Sequence, residues 1–305
     1  MRIGLIAQLH GSPDGSKPAP TWERVLRLAS AAEAVGFDSF VFEDALLYRG
    51  PKETYGCLES MSIAAALAAA TGRINIGQSV VNAPYRSPAL TAKMAVTIDE
   101  ISGGRYLFGI GAGNTPDSDY EAFGFPTDHR YSRFAEAIEI IHGLLKSGSV
   151  DYDGDFHSAK QSELVLQGPR PGGPPIIIAA GGPKMMRLAA QYADAWNWWS
   201  TDHRTATETL TPLVEELERA CEEVGRDPDT LVRTLDAYTL DPMNSAEADG
   251  ATGIGHPLSG SPEEITSTLL GFQSLGFTEV RCDLYPKTVE AVEAMADVVE
   301  RVHAC

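Results

Sequence analysis

The sequence predicts an α/β protein: a single (β/α)8 TIM barrel over residues 1–305, with insertions after several strands. Three observations point there. Short apolar runs alternate with amphipathic helical stretches along the whole chain, and strict strand–helix alternation calls for a parallel sheet. The runs are apolar on both faces, as in Ile176-Ile177-Ile178, which suits strands covered by helices. Eight such pairs in 305 residues match a closed barrel. A doubly wound open sheet normally carries a glycine fingerprint after its first strand, and Gln8-Leu9-His10-Gly11 offers none.

The first strand is residues 3–7. A helix over 22–35 follows, with an apolar stripe from Val25 to Val35 and Gly36 as its stop. Residues 38–42 form the second strand, ending at Glu43-Asp44. A loop with Tyr48, Gly50, Pro51 and Gly56 then leads to an Ala-rich helix over 58–70. The third strand starts at Arg73 and runs through Gln78-Ser79-Val80-Val81, before a helix over 88–101. The fourth, 106–110, ends in Gly111-Ala112-Gly113-Asn114. An excursion over 115–128 precedes the helix over 130–145, and a polar, hairpin-like insertion covers 150–167. The fifth strand, 176–178, stops at Ala179-Ala180-Gly181-Gly182-Pro183, and Met185, Met186, Leu188, Ala189 and Tyr192 continue at helical spacing. Pro183 suits a first helical turn, where its missing N–H costs nothing. The sixth strand, 194–199, is followed by a helix over 205–224, and the seventh strand is 231–240. A long polar loop over 241–260 leads to a Ser261-capped helix over 262–275, a last strand over 278–284 and a last helix over 289–302.

Composition narrows the function classes. Forty-three per cent apolar and 22% charged residues describe a globular chain with a large core. Twenty-four basic against 42 acidic residues give a net charge of −18 with no basic cluster, which argues against nucleic acid and anionic membranes as partners. No apolar segment approaches the length of a membrane span, and the first residues run straight into a strand without a signal-peptide core. Cys57, Cys221, Cys282 and Cys305 lie far apart, so reduced thiols and a cytoplasmic setting are expected.

In a barrel the working face is the carboxyl end of the strands. Those ends present Gln8 and His10, Glu43 and Asp44, Ser79 to Asn82, Gly111 to Asn114, Ala179 to Pro183, and Asn197 to Ser200. Few of these titrate. HExxH, GxSxG and GxxxxGK[ST] are absent, and no His/Asp/Glu grouping has metal-ligand spacing, so no metal is expected. A site of backbone amides and aromatics suits an organic cofactor that carries the reaction itself. The turn over 179–183 leaves N–H groups and the positive end of a helix dipole facing outward, a ready site for a phosphate. It also reads as an ordinary tight βα turn.

Several stretches together carry a resemblance. They are Ile101-Ser102-Gly103-Gly104-Arg105, Gly109-Ile110-Gly111-Ala112-Gly113 with Tyr120-Glu121-Ala122-Phe123-Gly124, Pro175 to Pro183, and Tyr192-Ala193-Asp194-Ala195-Trp196-Asn197. From Gly36-Phe37-Asp38-Ser39 to Gly276-Phe277 the chain resembles the bacterial luciferase-like monooxygenase superfamily, TIM barrels that use reduced flavin or the deazaflavin coenzyme F420. The resemblance implies a cofactor phosphate on Ala179, Ala180, Gly181, Gly182 and Pro183. It also implies a cis peptide at Ser79-Val80 backing the ring, with Val81, Ala112 and Asn114 beside it.

The implied activity is F420-dependent hydride transfer with a small organic substrate, with Asp44, His10 or Asn197 polarising the reacting group. The alternatives are a monooxygenase that uses reduced FMN from a separate flavin reductase, and a barrel that only binds a cofactor or partner. Two positions depart from the deazaflavin pattern. Asp44 is followed by Ala45, where those enzymes commonly have a histidine. Gly113 is followed by Asn114, where the sugar-phosphate dehydrogenase has a glutamate. Both departures remove proton-transfer groups and argue against that substrate. Strand alternation puts Trp198 with Trp196 and Trp199 with Asn197, one pair packing and the other bordering the site. The family commonly dimerises through its second helix, whose small residues over 63–70 permit close approach, so a homodimer is expected. Specificity is assigned to the loops 46–56, 115–127 and 241–260.

Overall fold

A computed structural model describes residues 1–10, 20–49, 54–113, 118–200, 207–245 and 257–305. Eight strands make the barrel: β1 (Arg2–Ala7), β2 (Ser39–Phe42), β3 (Asn75–Gln78), β4 (Tyr106–Gly111), β5 (Ile176–Ala179), β6 (Ala195–Trp199), β7 (Val232–Asp241) and β8 (Phe277–Leu284). They pair in chain order, β8 returns to β1, and every pairing is parallel. The predicted closure is therefore observed. Between strands lie α1 (Trp22–Val35), α2 (Ser60–Ala70), α3 (Pro88–Ser102), α4 (Arg130–Ser147), α5 (Pro183–Tyr192), α6 (Thr207–Glu223) and α7 (Pro262–Gly271). After β8 come α8 (Val289–Glu293) and α9 (Ala296–Ala304).

Local chemistry explains most of the boundaries. Gly36 and Gly103 end α1 and α3 in the left-handed conformation, at φ 102° and 65°. Ser261 and Glu264 form a reciprocal capping box on α7. The structure differs from the sequence reading at several places. The third strand, read as continuous through Val81, breaks at Ser79-Val80, where the peptide is cis as the resemblance implies, and Val81–Asn82 then pairs with β4 again. The loop after β2 contains a small antiparallel pair, Leu47–Arg49 with Thr54–Gly56. The helix from Pro262 finishes as a 3-10 turn over Phe272–Leu275. The last helix splits at Met295, where the ladder tightens to a bond with Val292 O and the side chain is fully buried. The insertion after α4 is a hairpin as expected, Ser149–Asp153 with Ser158–Glu163.

The main core lies between the strands and the helices, with Ile3, Phe40, Phe108, Ile176, Ile178 and Trp196 among its buried members. Inside the barrel, toward the amino ends of β4–β6, Leu107, Ile177 and Ala195 form a separate apolar plug. The layer above this plug is polar, and it leads to the mouth.

Candidate active site

The irregular third strand rests on glycine. A Cβ at Gly77 would overlap the Leu107 carbonyl, and one at Gly109 would overlap the Gln78 carbonyl. At Gly111 it would stand 3.0 Å from Val80 Cγ2. Gly109 and Gly111 of β4 thus leave the room that Val80 fills.

Beneath Ser79 lies a buried charged group. Ser79 donates its hydroxyl proton to Asp236 Oδ2. Asn197 Nδ2 donates to the same oxygen at 3.0 Å and to Ser79 Oγ at 3.4 Å, while Thr234 Oγ1 donates to Asn197 Oδ1 at 2.7 Å. Arg281 Nη1 reaches Asp236 Oδ1 at 3.2 Å and Ser79 Oγ at 3.3 Å, and its Nε reaches Glu279 Oε1 at 3.0 Å. Ser39 donates to Glu279 at 2.6 Å, and Arg2 stands 3.3 Å from it. Gly4 makes this packing possible, because a Cβ there would stand 2.7 Å from Arg281 Cγ.

Burial pushes the Asp236 carboxyl above its ordinary range, against the opposing pull of Arg281 and of the Ser79 and Asn197 hydrogen bonds. At Glu279 burial acts the same way, but Arg281, Arg2 and Ser39 outweigh it and hold the carboxyl low. Arg281 Nη2 is buried without a hydrogen-bond partner among the described residues.

Across the mouth, the β5–α5 turn has the shape of an anion cradle. Ala179 sits in register with Asn197, and Ala180 N donates to Asn197 O at 3.4 Å. Trp196 Nε1 donates to Ala180 O at 2.9 Å, which fixes the turn from the outer side. Gly181 is exposed, and a Cβ there would stand 2.8 Å from the Trp198 ring. Gly182 has φ 76° and open space where a side chain would be. Pro183 starts α5 and no side chain caps it, so the first-turn N–H groups face outward without a side-chain acceptor. Lys184 Nζ lies 5.5 Å over the Tyr131 ring, and Arg130 Nη1 donates to Gly113 O at 3.3 Å. Two cations therefore stand on the elements around the cradle.

The third corner is formed by the ends of β1 and β2. Asp44 is buried and accepts from Ser60 Oγ at 2.7 Å, Asn82 N at 2.9 Å, and Arg86 at 2.7 and 3.0 Å. Arg86 also binds Glu59, the residue whose carboxylate caps α2. His10 Nδ1 lies 2.8 Å from Glu43 Oε1, which also accepts the Leu9 N–H at 2.7 Å. The His10 ring lies 4.5 Å from Tyr48 and 5.7 Å from Tyr55, and an isolated bridge pairs His10 with Cys57.

The fold brings together Ser79, Asn197, Ala179 and Ala180, and seats Val80 against Gly111. Val81 is buried beside Ile110, and Ala112 is half-buried just past β4. Asp44 and His10 end neighbouring strands, and Asp44 is tied to the loop after β3 rather than to Asn197. Asn114 lies outside the described residues. Asn197 points into the barrel, while Trp196 and Trp198 pack on the other face, their centroids 6.4 Å apart. The sequence reading missed Asp236, Glu279, Arg281, Arg86 and Lys184. One signal for Glu279 and Arg281 was there: with Asp283 they alternate with apolar residues in the last strand, as an inward charged face would. Among the described residues, no helix is long and apolar enough to cross a membrane.

A family model described as luciferase-like monooxygenase matches residues 1–248. A 5,10-methylenetetrahydromethanopterin reductase of Archaeoglobus fulgidus is 39% identical over 163 residues, 53% of this chain and 45% of its own length. A pyrimidine monooxygenase, RutA of Shigella flexneri, is 32% identical over 284 residues, 88% of this chain and 71% of its own. Among solved structures, a coenzyme F420-dependent tetrahydromethanopterin reductase from Methanopyrus kandleri superposes with a TM-score of 0.75, covering 99% of each chain at 19% identity. At that identity the likeness speaks for the fold.

Proposed function

The chain belongs to the luciferase-like monooxygenase family, and from that premise we propose an oxidoreductase that holds coenzyme F420 at its barrel mouth and acts on a small organic substrate. The observation that carries this reading is the cradle at Gly181-Gly182, exposed and uncapped, beside the polar group of Ser79 and Asn197. A phosphate suits the open N–H groups of α5 and the ammonium of Lys184. A planar ring suits the ledge of Val80, with Ala112 at its edge.

When bound, the deazaflavin supplies a carbon that gives or takes a hydride. This chain's residues hold and orient. Asp236 and Arg281 fix Ser79 Oγ, and Thr234 and Asp236 fix the Asn197 amide, so both side chains meet a ligand in one orientation. Of the three residues considered for polarising the substrate, Asp44 is taken up by Arg86, Ser60 and Asn82, and Asn197 by Asp236 and Thr234. Glu43 orients His10 through Nδ1, which leaves Nε2 to exchange a proton with the substrate.

The test is a fluorescence titration of the purified protein with F420, alongside Gly181→Val. Wild type is expected to bind, and the variant to bind at least tenfold more weakly, because the new side chain must displace the Trp198 ring. No binding by wild type overturns the cofactor reading, and equal affinity of the variant overturns the phosphate placement. The relative spanning 88% of this chain is a monooxygenase, which favours a second reading: use of reduced FMN delivered by a separate reductase. Oxygen uptake with externally reduced FMN separates the two. Association of two copies would use α2, whose outer residues Ser62, Ala69 and Ala70 are small.

A further inference from the structure

We propose that His10, Glu43 and Cys57 form a binding site for a divalent transition-metal ion of the zinc class. The three come from separate stretches: just past β1, just past β2, and the far end of the small hairpin that follows β2. Their imidazole nitrogen, carboxylate oxygen and thiol sulfur lie within 4.8 Å of one another. Ligand atoms at about 2.0–2.3 Å from a tetrahedral zinc ion stand roughly 3.3–3.8 Å apart, so side-chain rotation of about 1 Å closes the set.

The donor set selects the ion. A mixed nitrogen, sulfur and oxygen site suits zinc or cobalt, whereas magnesium and calcium take oxygen alone. Three protein ligands leave a fourth position open.

The surroundings already orient the ligands. The Leu9 N–H holds the Glu43 carboxylate, Tyr48 and Tyr55 flank the His10 ring, and the backbone bridge sets His10 opposite Cys57. The 2.8 Å contact between His10 Nδ1 and Glu43 Oε1 has a proton between the two atoms, and an ion would take that proton's place. The next carboxylate, Asp44, is neutralised by Arg86 and does not compete for the ion. All three ligands are partly exposed, which gives the ion a way in, and the net charge of −18 favours a cation.

The inference goes beyond the cofactor reading and stands without it, because binding is measured with no cofactor present. With the site loaded, a Lewis acid rather than the His10 proton would meet the substrate there.

The full-length protein, stripped with a chelator, is titrated with Co2+ alone. One equivalent is expected to bind with a thiolate-to-cobalt charge-transfer band, and Zn2+ should bleach that band by displacement. Cys57→Ser should abolish the band. His10→Gln should weaken binding at least tenfold, and Cys305→Ser should change neither. Circular dichroism of each variant reports folding separately. Absence of the band in wild type overturns the site. So does a band that survives Cys57→Ser or disappears in Cys305→Ser.

Discussion

From β7 round to β2 the barrel interior is filled by charge, whereas from β3 to β5 it is filled by glycine, alanine and aliphatic side chains. Thr234, Asp236, Glu279, Arg281 and Ser39 make up the first half, and Gly77, Leu107, Gly109, Gly111, Ile177 and Ala179 the second. The charged half is specified by partners, since every carboxylate needs Arg281 and every hydroxyl has an assigned acceptor. The glycine half is specified by volume, since one added carbon meets backbone. Ser79 and Asn197 sit where the halves meet, held by the charges and given room by the glycines. The two side chains of the proposed site are thus placed between two regions that fail in different ways.

The largest effect expected from breaking the charged half comes from Arg281→Met. It leaves Asp236 buried without its cation and Glu279 with Arg2 alone, and should cost about 3–5 kcal/mol in urea denaturation. Adding Asp236→Asn and Glu279→Gln should recover most of that loss. A triple variant as unstable as the single one would show that packing, not charge balance, governs this half.

Breaking the glycine half should cost less. Gly109→Ala drives a carbon into the Gln78 carbonyl and should lose about 1–3 kcal/mol. Gly72→Ala, with open space around it, should stay within about 0.5 kcal/mol of wild type. Similar values for the two would remove the volume argument.

The smallest effect comes from outside the barrel interior and sharpens the contrast through pH. Burial holds His142 and His157 below their ordinary pKa, so the unfolded chain binds their protons first as pH falls. Their stabilisation is present above about pH 6.5 and is lost as pH drops toward the lower folded values. A His142→Gln, His157→Gln variant should flatten the fall in thermal midpoint between pH 7 and pH 5, and an unchanged slope would assign it to other groups.

The barrel was legible because each strand and helix carries its own local pattern, and closure follows from repeating it. The cradle was legible for the same reason: strand, glycine turn and helix start are contiguous from Ile176 to Tyr192. The charged group was not, because Ser79 meets Asp236 across 157 residues and Arg281 across 202. Only the alternation of Glu279, Arg281 and Asp283 hinted at it, and a partly solvated edge strand gives that same pattern. The grouping of His10, Glu43 and Cys57 was not legible either, since the three lie far apart along the chain and the hairpin after β2 brings them together in space.

The contact of Trp198 with Gly181 has an evolutionary consequence. The indole occupies the volume into which a side chain at 181 would grow, so the two positions are not free to drift separately. Descendants of this sequence that acquire even an alanine at 181 should carry a smaller residue at 198, and those that keep the tryptophan should keep the glycine.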